Sequence, residues 1–334
     1  MKTPNANDTV RALADKLYFD NSSCIALNDH LVQKDFLTKL RNEVVDNGEK
    51  VLNDLHGVIQ TIARPEKSLL HVAANSFNLI EKFGSDLVLF NSIFNESLIS
   101  FDKNERFQLK QGHEYRRKSF DSPRHIGLGL ESTKSCYLTQ SILYNNTDWL
   151  KKSVPATRTL MKFLTGILYY EVRGKGLAYS VYLALYQSKG RIDLKLHKAA
   201  QLVAAYKEVR RVFRDYLLGK ALWDEALIDS AKGALIYSWT EKEESMSDLV
   251  NEADKAYLRS VDPNYNRMLT KSLARVKSKS VNSVAKQILT HFLNPDSTQT
   301  VIVCNKAKIS EVTKDFAQLG FHMKIYQSYE DTAL

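Results

Sequence analysis

At 334 residues the chain is long enough to bury a full core and to hold two domains, or one domain with a large helical extension. Its 44% apolar and 25% charged residues are ordinary for a soluble globular protein, and 47 basic residues against 38 acidic ones leave an excess that admits anionic partners without naming one. No apolar run approaches the roughly 18 residues of a membrane span, so no membrane-spanning helix is expected.

The N-terminal sequence MKTPNANDTVRALADK has no apolar h-region, and its aspartates argue against a transit peptide. Cys24, Cys136 and Cys304 are widely spaced without a C-x-x-C pair, and read as reduced, buried thiols rather than a disulfide framework or zinc knuckle. The sequons at Asn95 and Asn145 are discounted for want of a secretory signal. A soluble intracellular protein, cytoplasmic or mitochondrial, is expected.

In chain order, the first hundred residues read as helices. Leu37, Leu40, Val44, Val51 and Leu55 follow a three-four spacing that puts them on one face. Pro65 opens a second helix with a stripe of Leu69, Ala73, Phe77 and Ile80 that stops at Gly84, and a third apolar segment runs from Leu87 to Ile99. Residues 102–124 are polar and without period, which reads as a connection and places a domain boundary near Ser122. Residues 1–122 are then a mostly helical part with its linker, and 123–334 a second domain.

Directly after the boundary, Ile126, Leu128 and Leu130 alternate with His125, Gly127 and Gly129, the pattern of a half-buried strand. A helix over 156–171 has Pro155 near its start. Strands Leu177 to Gln187 and Arg191 to His197 are joined by Ser188-Lys189-Gly190 as a tight antiparallel hairpin. A long helix carries Leu202, Tyr206, Val209, Phe213 and Tyr216, further helices reach about Leu293, and the chain closes with a strand, helix, strand unit in which Gly320 ends the helix. The whole is an α+β fold: a helical part followed by an α/β sandwich with a mixed or antiparallel sheet covered by helices.

Chemistry is sparse. None of the eight histidines sits in H-E-x-x-H or H-x-x-E-H, so no pair of imidazoles one helical turn apart can converge on a zinc ion. No phosphate loop, dinucleotide fingerprint or G-x-S-x-G elbow is present. From Arg267 to Lys286 six basic residues stand without an acidic one, with Arg267, Lys271, Arg275 and Lys279 drifting round one helical face, while Glu241 to Asp254 carries six acidic residues against one lysine. The basic segment lacks the interleaved aromatics that stack on bases, so both read as solvated or complementary faces, with a nucleic-acid module as the lesser alternative.

The remaining candidate is EVRGKGLAYSVYL, residues 171–183. In an extended strand Arg173 and Tyr179 point to one face but stand roughly 20 Å apart. They serve one site only if the chain folds back, which Gly174 and Gly176 permit through positive φ and close backbone approach. A guanidinium fork and a phenol together can grip a peptide carbonyl or the oxyanion formed when it is attacked. The plain reading makes Arg173 a surface ion pair at a helix end and Tyr179 one more amphipathic strand residue.

At these residues the sequence resembles the pitrilysin and insulysin family of inverted zinc metallopeptidases (inverzincins), most closely the presequence-protease-like branch. The motif is a helix ending in R-G-K-G, then an Ala-Tyr pair opening a strand. The resemblance implies that Arg173 and Tyr179 bind substrate and stabilise the transition state, although members often carry glycine where this chain has Ser180. It extends through the hairpin and following helices to TVIVCNKAKISEVTKDFAQLGF, and more weakly before Ser122. It implies the later part of the third family domain and the whole fourth: the half of a zinc metalloendopeptidase that binds no zinc and lacks the general base. Such a half is inactive alone and pairs with a zinc-bearing N-terminal half to degrade unfolded peptides. The strand Arg191 to His197 is a candidate edge for an extended substrate. A non-catalytic structural subunit of the same fold is the alternative.

Overall fold

In the computed structural model, residues 5–62, 110–117 and 123–332 are described, with Asn78 and Glu81. The helix expected after Pro65, the apolar segment from Leu87 and the boundary residue Ser122 lie outside them. Elements are numbered here among the described residues.

Asn5 caps the first helix, α1 (Ala6–Tyr18), by accepting from the Asp8 amide at 2.9 Å. A short α2 (Cys24–Leu27) follows, then α3 (His30–Ile62), which bends at Asn47, whose φ of −154° breaks the helical run. The helix is where the spacing puts it, but Leu37, Val44 and Leu55 on the predicted face are exposed and only Val51 of that stripe is buried.

Strands β1 (His125–Gly129) and β2 (Cys136–Leu143) come next, followed by α4 (Val154–Leu168), which starts on Pro155. The chain then runs through β3 (Ala178–Tyr186), β4 (Arg191–Ala199), α5 (Leu202–Leu217), α6 (Glu225–Thr240), α7 (Met246–Leu258), α8 (Tyr265–Ala274) and α9 (Ser278–Leu293). It closes with β5 (Thr298–Cys304), α10 (Ile309–Gln318) and β6 (Lys324–Tyr326).

Among the described residues six strands form one mixed sheet in the order β3-β4-β2-β5-β1-β6, with β1 parallel to β5 and β6 and the remaining pairs antiparallel. The fold is α+β, a sheet flanked by helices. One face packs on α4, α5, α9 and α10 around Leu138, Ile192, Leu194, Leu196 and Ile302. On the other face α1 lays Val10, Leu13 and Leu17 against Ile126, Leu128, Val301 and Val303. With both faces covered, β1 is buried along its length, where the alternation in its sequence predicts a half-buried strand. Its glycines serve packing: a Cβ on Gly127 would stand 2.8 Å from Thr313 Cγ2 of α10.

The described residues divide into two units, one drawn from Met1–Gln33, Lys110–Trp239 and Asn264–Leu334, the other from Lys34–Leu109 and Thr240–Pro263. A cut at residue 122 therefore parts α1 from the sheet it packs on. Burial of the apolar stripe of α1 is the physical reason that the N-terminal segment joins the sandwich. The second unit holds most of α3, together with α7.

Candidate functional site

After Leu168 the helix α4 widens. Residues Tyr169–Arg173 form a π turn in which the Gly174 amide donates to the Tyr169 carbonyl at 3.0 Å and the Leu177 amide to Val172 at 3.1 Å. Gly174 keeps right-handed backbone angles (φ −57°), so it is there for space rather than handedness: a Cβ would collide with the Tyr170 carbonyl. Gly176 alone of the two has positive φ, at +70°, and it turns the chain into β3.

The turn brings together what the sequence sets apart. The Arg173 guanidinium carbon lies 4.7 Å from the ring centre of Tyr179 and 5.1 Å from that of Tyr169, so the cation is held between two phenols. Arg173 is exposed, and Tyr179 is 60% exposed on the edge strand. The ion-pair reading of Arg173 fails on geometry, since no carboxylate among the described residues pairs with it. The nearby acids are engaged elsewhere: Glu171 binds Lys175 at 2.8 Å and Arg211 at 2.7 Å, and Glu208 binds Lys175 at 2.5 Å and Arg211 at 2.8 Å. Hydrogen bonding from Arg211 is the main cause that holds the Glu208 carboxyl down at about 2, and the bonds that Lys175 donates to Glu171 and Glu208 raise the pKa of its ammonium. These acids and bases satisfy one another, and neither Glu171 nor Glu208 pairs with the guanidinium of Arg173.

A residue the sequence does not flag joins this pair. On β4, His197 and Lys198 together oppose Tyr137 of β2, a bulge that interrupts the register between Cys136 and Leu138. Lys198 there has φ +48°, an unusual angle for a side chain with a Cβ, and its ammonium stands 5.7 Å from the Tyr179 ring centre. No sequence pattern announces such a bulge, because the signal is a left-handed angle on a lysine instead of a glycine.

Three expectations are corrected. Strand β4 lies between β3 and β2, so it offers no edge; the exposed edge beside the site is β3. The basic run is split between α8 and α9 by a break at residues 275–277, so Arg267, Lys271, Arg275 and Lys279 do not share one helix face. Cys24 is exposed, whereas Cys136 and Cys304 are buried, as expected of them. For zinc, the described residues contain no group of three or more His, Cys, Asp or Glu side chains placed to hold a metal ion, so their donor set does not fit the metal. Among the described residues no helix is long and apolar enough to cross a membrane.

No protein-family model matches the chain. It is 20% identical over 311 residues to the Caenorhabditis elegans protein C05D11.1, covering 91% of this chain and 30% of that protein. To the Saccharomyces cerevisiae protein YOL098C it is 20% identical over 176 residues, covering 51% of this chain and 17% of the other. The chain thus spans less than a third of the length of the curated relatives it matches. Among solved structures it is similar to a Helicobacter pylori protease (TM-score 0.47, 14% identity, covering 69% of this chain and 53% of that one). It is also similar to a peptidase M16 inactive domain from Pseudomonas fluorescens (TM-score 0.42, 20% identity, covering 54% of this chain and 42% of that one).

Proposed function

We propose that this chain is the zinc-free half of a zinc-dependent metalloendopeptidase of the pitrilysin type, in the presequence-protease-like branch, acting on unstructured peptides. In this reading residues 123–334 are the last domain of such an enzyme and residues 1–122 the late part of the domain before it, with its linker. The observation that carries the proposal is the exposed guanidinium of Arg173, paired with no carboxylate among the described residues and held against the ring of Tyr179.

The pair acts by donating. The guanidinium offers two parallel N–H groups and the phenol one O–H to a peptide carbonyl oxygen, and these bonds strengthen as that oxygen gains negative charge on attack. Cation–π contact with Tyr169 and Tyr179 limits the rotamers of Arg173, so less freedom is lost when the peptide binds. As an edge strand of the described sheet, β3 is where an extended peptide could pair beside Tyr179, although its Leu183 amide already donates to the Thr165 hydroxyl at 3.1 Å. The zinc and the general base belong to a partner half bearing H-x-x-E-H, on the same polypeptide or a separate subunit.

The test is hydrolysis of a quenched fluorescent, unstructured peptide by the chain alone and after mixing with such a zinc-bearing half. Alone it cleaves nothing, with or without zinc. In the mixture, Arg173→Ala and Tyr179→Phe each lower kcat by about 10²–10³, the loss for one oxyanion donor, while zinc content stays constant. Full turnover by both variants would remove the assigned roles and leave a non-catalytic structural subunit as the reading.

A further inference from the structure

A second charged site lies on the opposite face of the sheet and does not depend on the proposal above. Between α1, α2 and the β3–β4 hairpin is a cavity of about 330 Å³, near the lower end of the range for small-ligand pockets. Five cations line it: Arg11 and Lys16 from α1, and Lys189, Arg191 and Lys195 from the hairpin. Two carboxylates, Asp15 and Asp29, share the lining.

The ion pairs do not balance. Arg191, 1% exposed, is held by Asp15 at 2.7 Å and by Asp193 at 2.8 Å. Asp15 also takes Lys189 at 3.3 Å, and Lys195 stands 3.7 Å from Asp193 while donating to the Tyr186 hydroxyl at 2.8 Å. Asp29 accepts from the Tyr329 hydroxyl at 2.6 Å. Lys16 is 7% exposed, lines the cavity and makes no hydrogen bond or ion pair with the described residues; Arg11 is exposed and likewise has none. Counting Asp193 with the lining, five positive charges meet three negative ones and two are left over.

Uncompensated charge in a half-buried site is costly. Burial pulls the ammonium groups of both Lys16 and Lys189 down in pKa, with Asp29 and Asp15 respectively opposing the shift. A bound dianion relieves the imbalance. We propose that this cavity binds a phosphate monoester group, with Lys16 and Arg11 as its principal donors. Such a group carries about −1.5 to −2 charges at neutral pH and three acceptor oxygens, which matches the residual charge and the point-charge ammonium donors around it.

The experiment is isothermal titration of the chain with O-phosphoserine and with inorganic phosphate, against succinate at matched ionic strength. One-to-one binding of the phosphate ligands is expected, with succinate at least about tenfold weaker. Lys16→Met, which keeps the length of the buried stem, and Arg11→Gln, at an exposed position that tolerates change, should each weaken phosphate binding, while Arg267→Gln on α8 leaves it unaltered. Should Lys16→Met fail to fold by circular dichroism, Arg11→Gln decides. Absence of binding up to about 10 mM, equal binding of succinate, or undiminished binding by the folded variants overturns the proposal.

Discussion

On one face of the sheet β4 presents Ile192, Leu194 and Leu196 to an apolar core; on the other, one residue out of step, it presents Arg191, Asp193 and Lys195 to α1 and the charged cavity. Both sets are buried. The apolar face is held by packing that many hydrophobic residues of the right volume can supply. The polar face is held by charges, each of which is tolerable only while its partner is present.

The strongest test of that contrast is removal of one partner. Asp193→Ala strands Arg191 with half its compensation and should cost about 3–5 kcal/mol in urea denaturation, whereas replacing Arg191 with Met and Asp193 with Leu together should cost less than the single change. A double variant no better than Asp193→Ala would mean that packing, not charge, holds this face.

A smaller effect comes from His125, a polar residue on the apolar side, edge-to-face with Phe321 at 5.2 Å. Burial is the main cause that takes its imidazole down to about 4, with Arg124 adding to the shift. The unfolded chain, with a pKa near 6.5, binds more protons between those values. Stability is therefore complete above about pH 6.5 and falls on acidification to about pH 4, by on the order of 2–3 kcal/mol from this residue. An NMR titration of the ring should find it neutral at about pH 5; a midpoint near its ordinary 6.5 would contradict the burial described for it.

The smallest stability effect belongs to the turn at the candidate site. Gly176→Ala meets no atom within 4 Å, so its cost is the left-handed angle alone, about 1–2 kcal/mol. Gly174→Ala meets the Tyr170 carbonyl and should open the π turn, separating Arg173 from Tyr179. Peptide affinity measured on both variants distinguishes the roles: the first should largely keep it, the second lose it.

Much of this architecture is legible in the sequence where pattern and burial agree. Pro155 at the start of α4, the Ser188-Lys189-Gly190 hairpin, the α5 stripe from Leu202 to Tyr216 and the closing β5-α10-β6 unit fall where periodicity and turn chemistry put them. Strand β2 escapes because Thr139-Gln140-Ser141, at its centre, looks like a loop. These residues are buried, and the side-chain partners of Gln140 and Ser141 come from distant segments: Gln140 donates to Tyr206 at 2.9 Å and Ser141 to Asp193 at 2.8 Å. The ion pairs of β4 to α1 are hidden for the same reason, since they cannot be seen along the chain. At the candidate site the residue types of Arg173 and Tyr179 are visible, but their contact depends on a π turn, and the place of Lys198 on a bulge.

The strand order also sets a timetable. His125 of β1 pairs with Thr300 of β5, 175 positions later, and β1's other neighbour is β6. At the ordinary pace of about 5–20 residues per second, a ribosome needs on the order of ten seconds or more to deliver the partners of β1 after β1 itself. The β3–β4 hairpin can close early, while β1 and the apolar stripe of α1 wait with nothing to cover them. Folding of this unit is therefore nonlocal and late, and the apolar stripe of α1 stays uncovered until the last strands emerge.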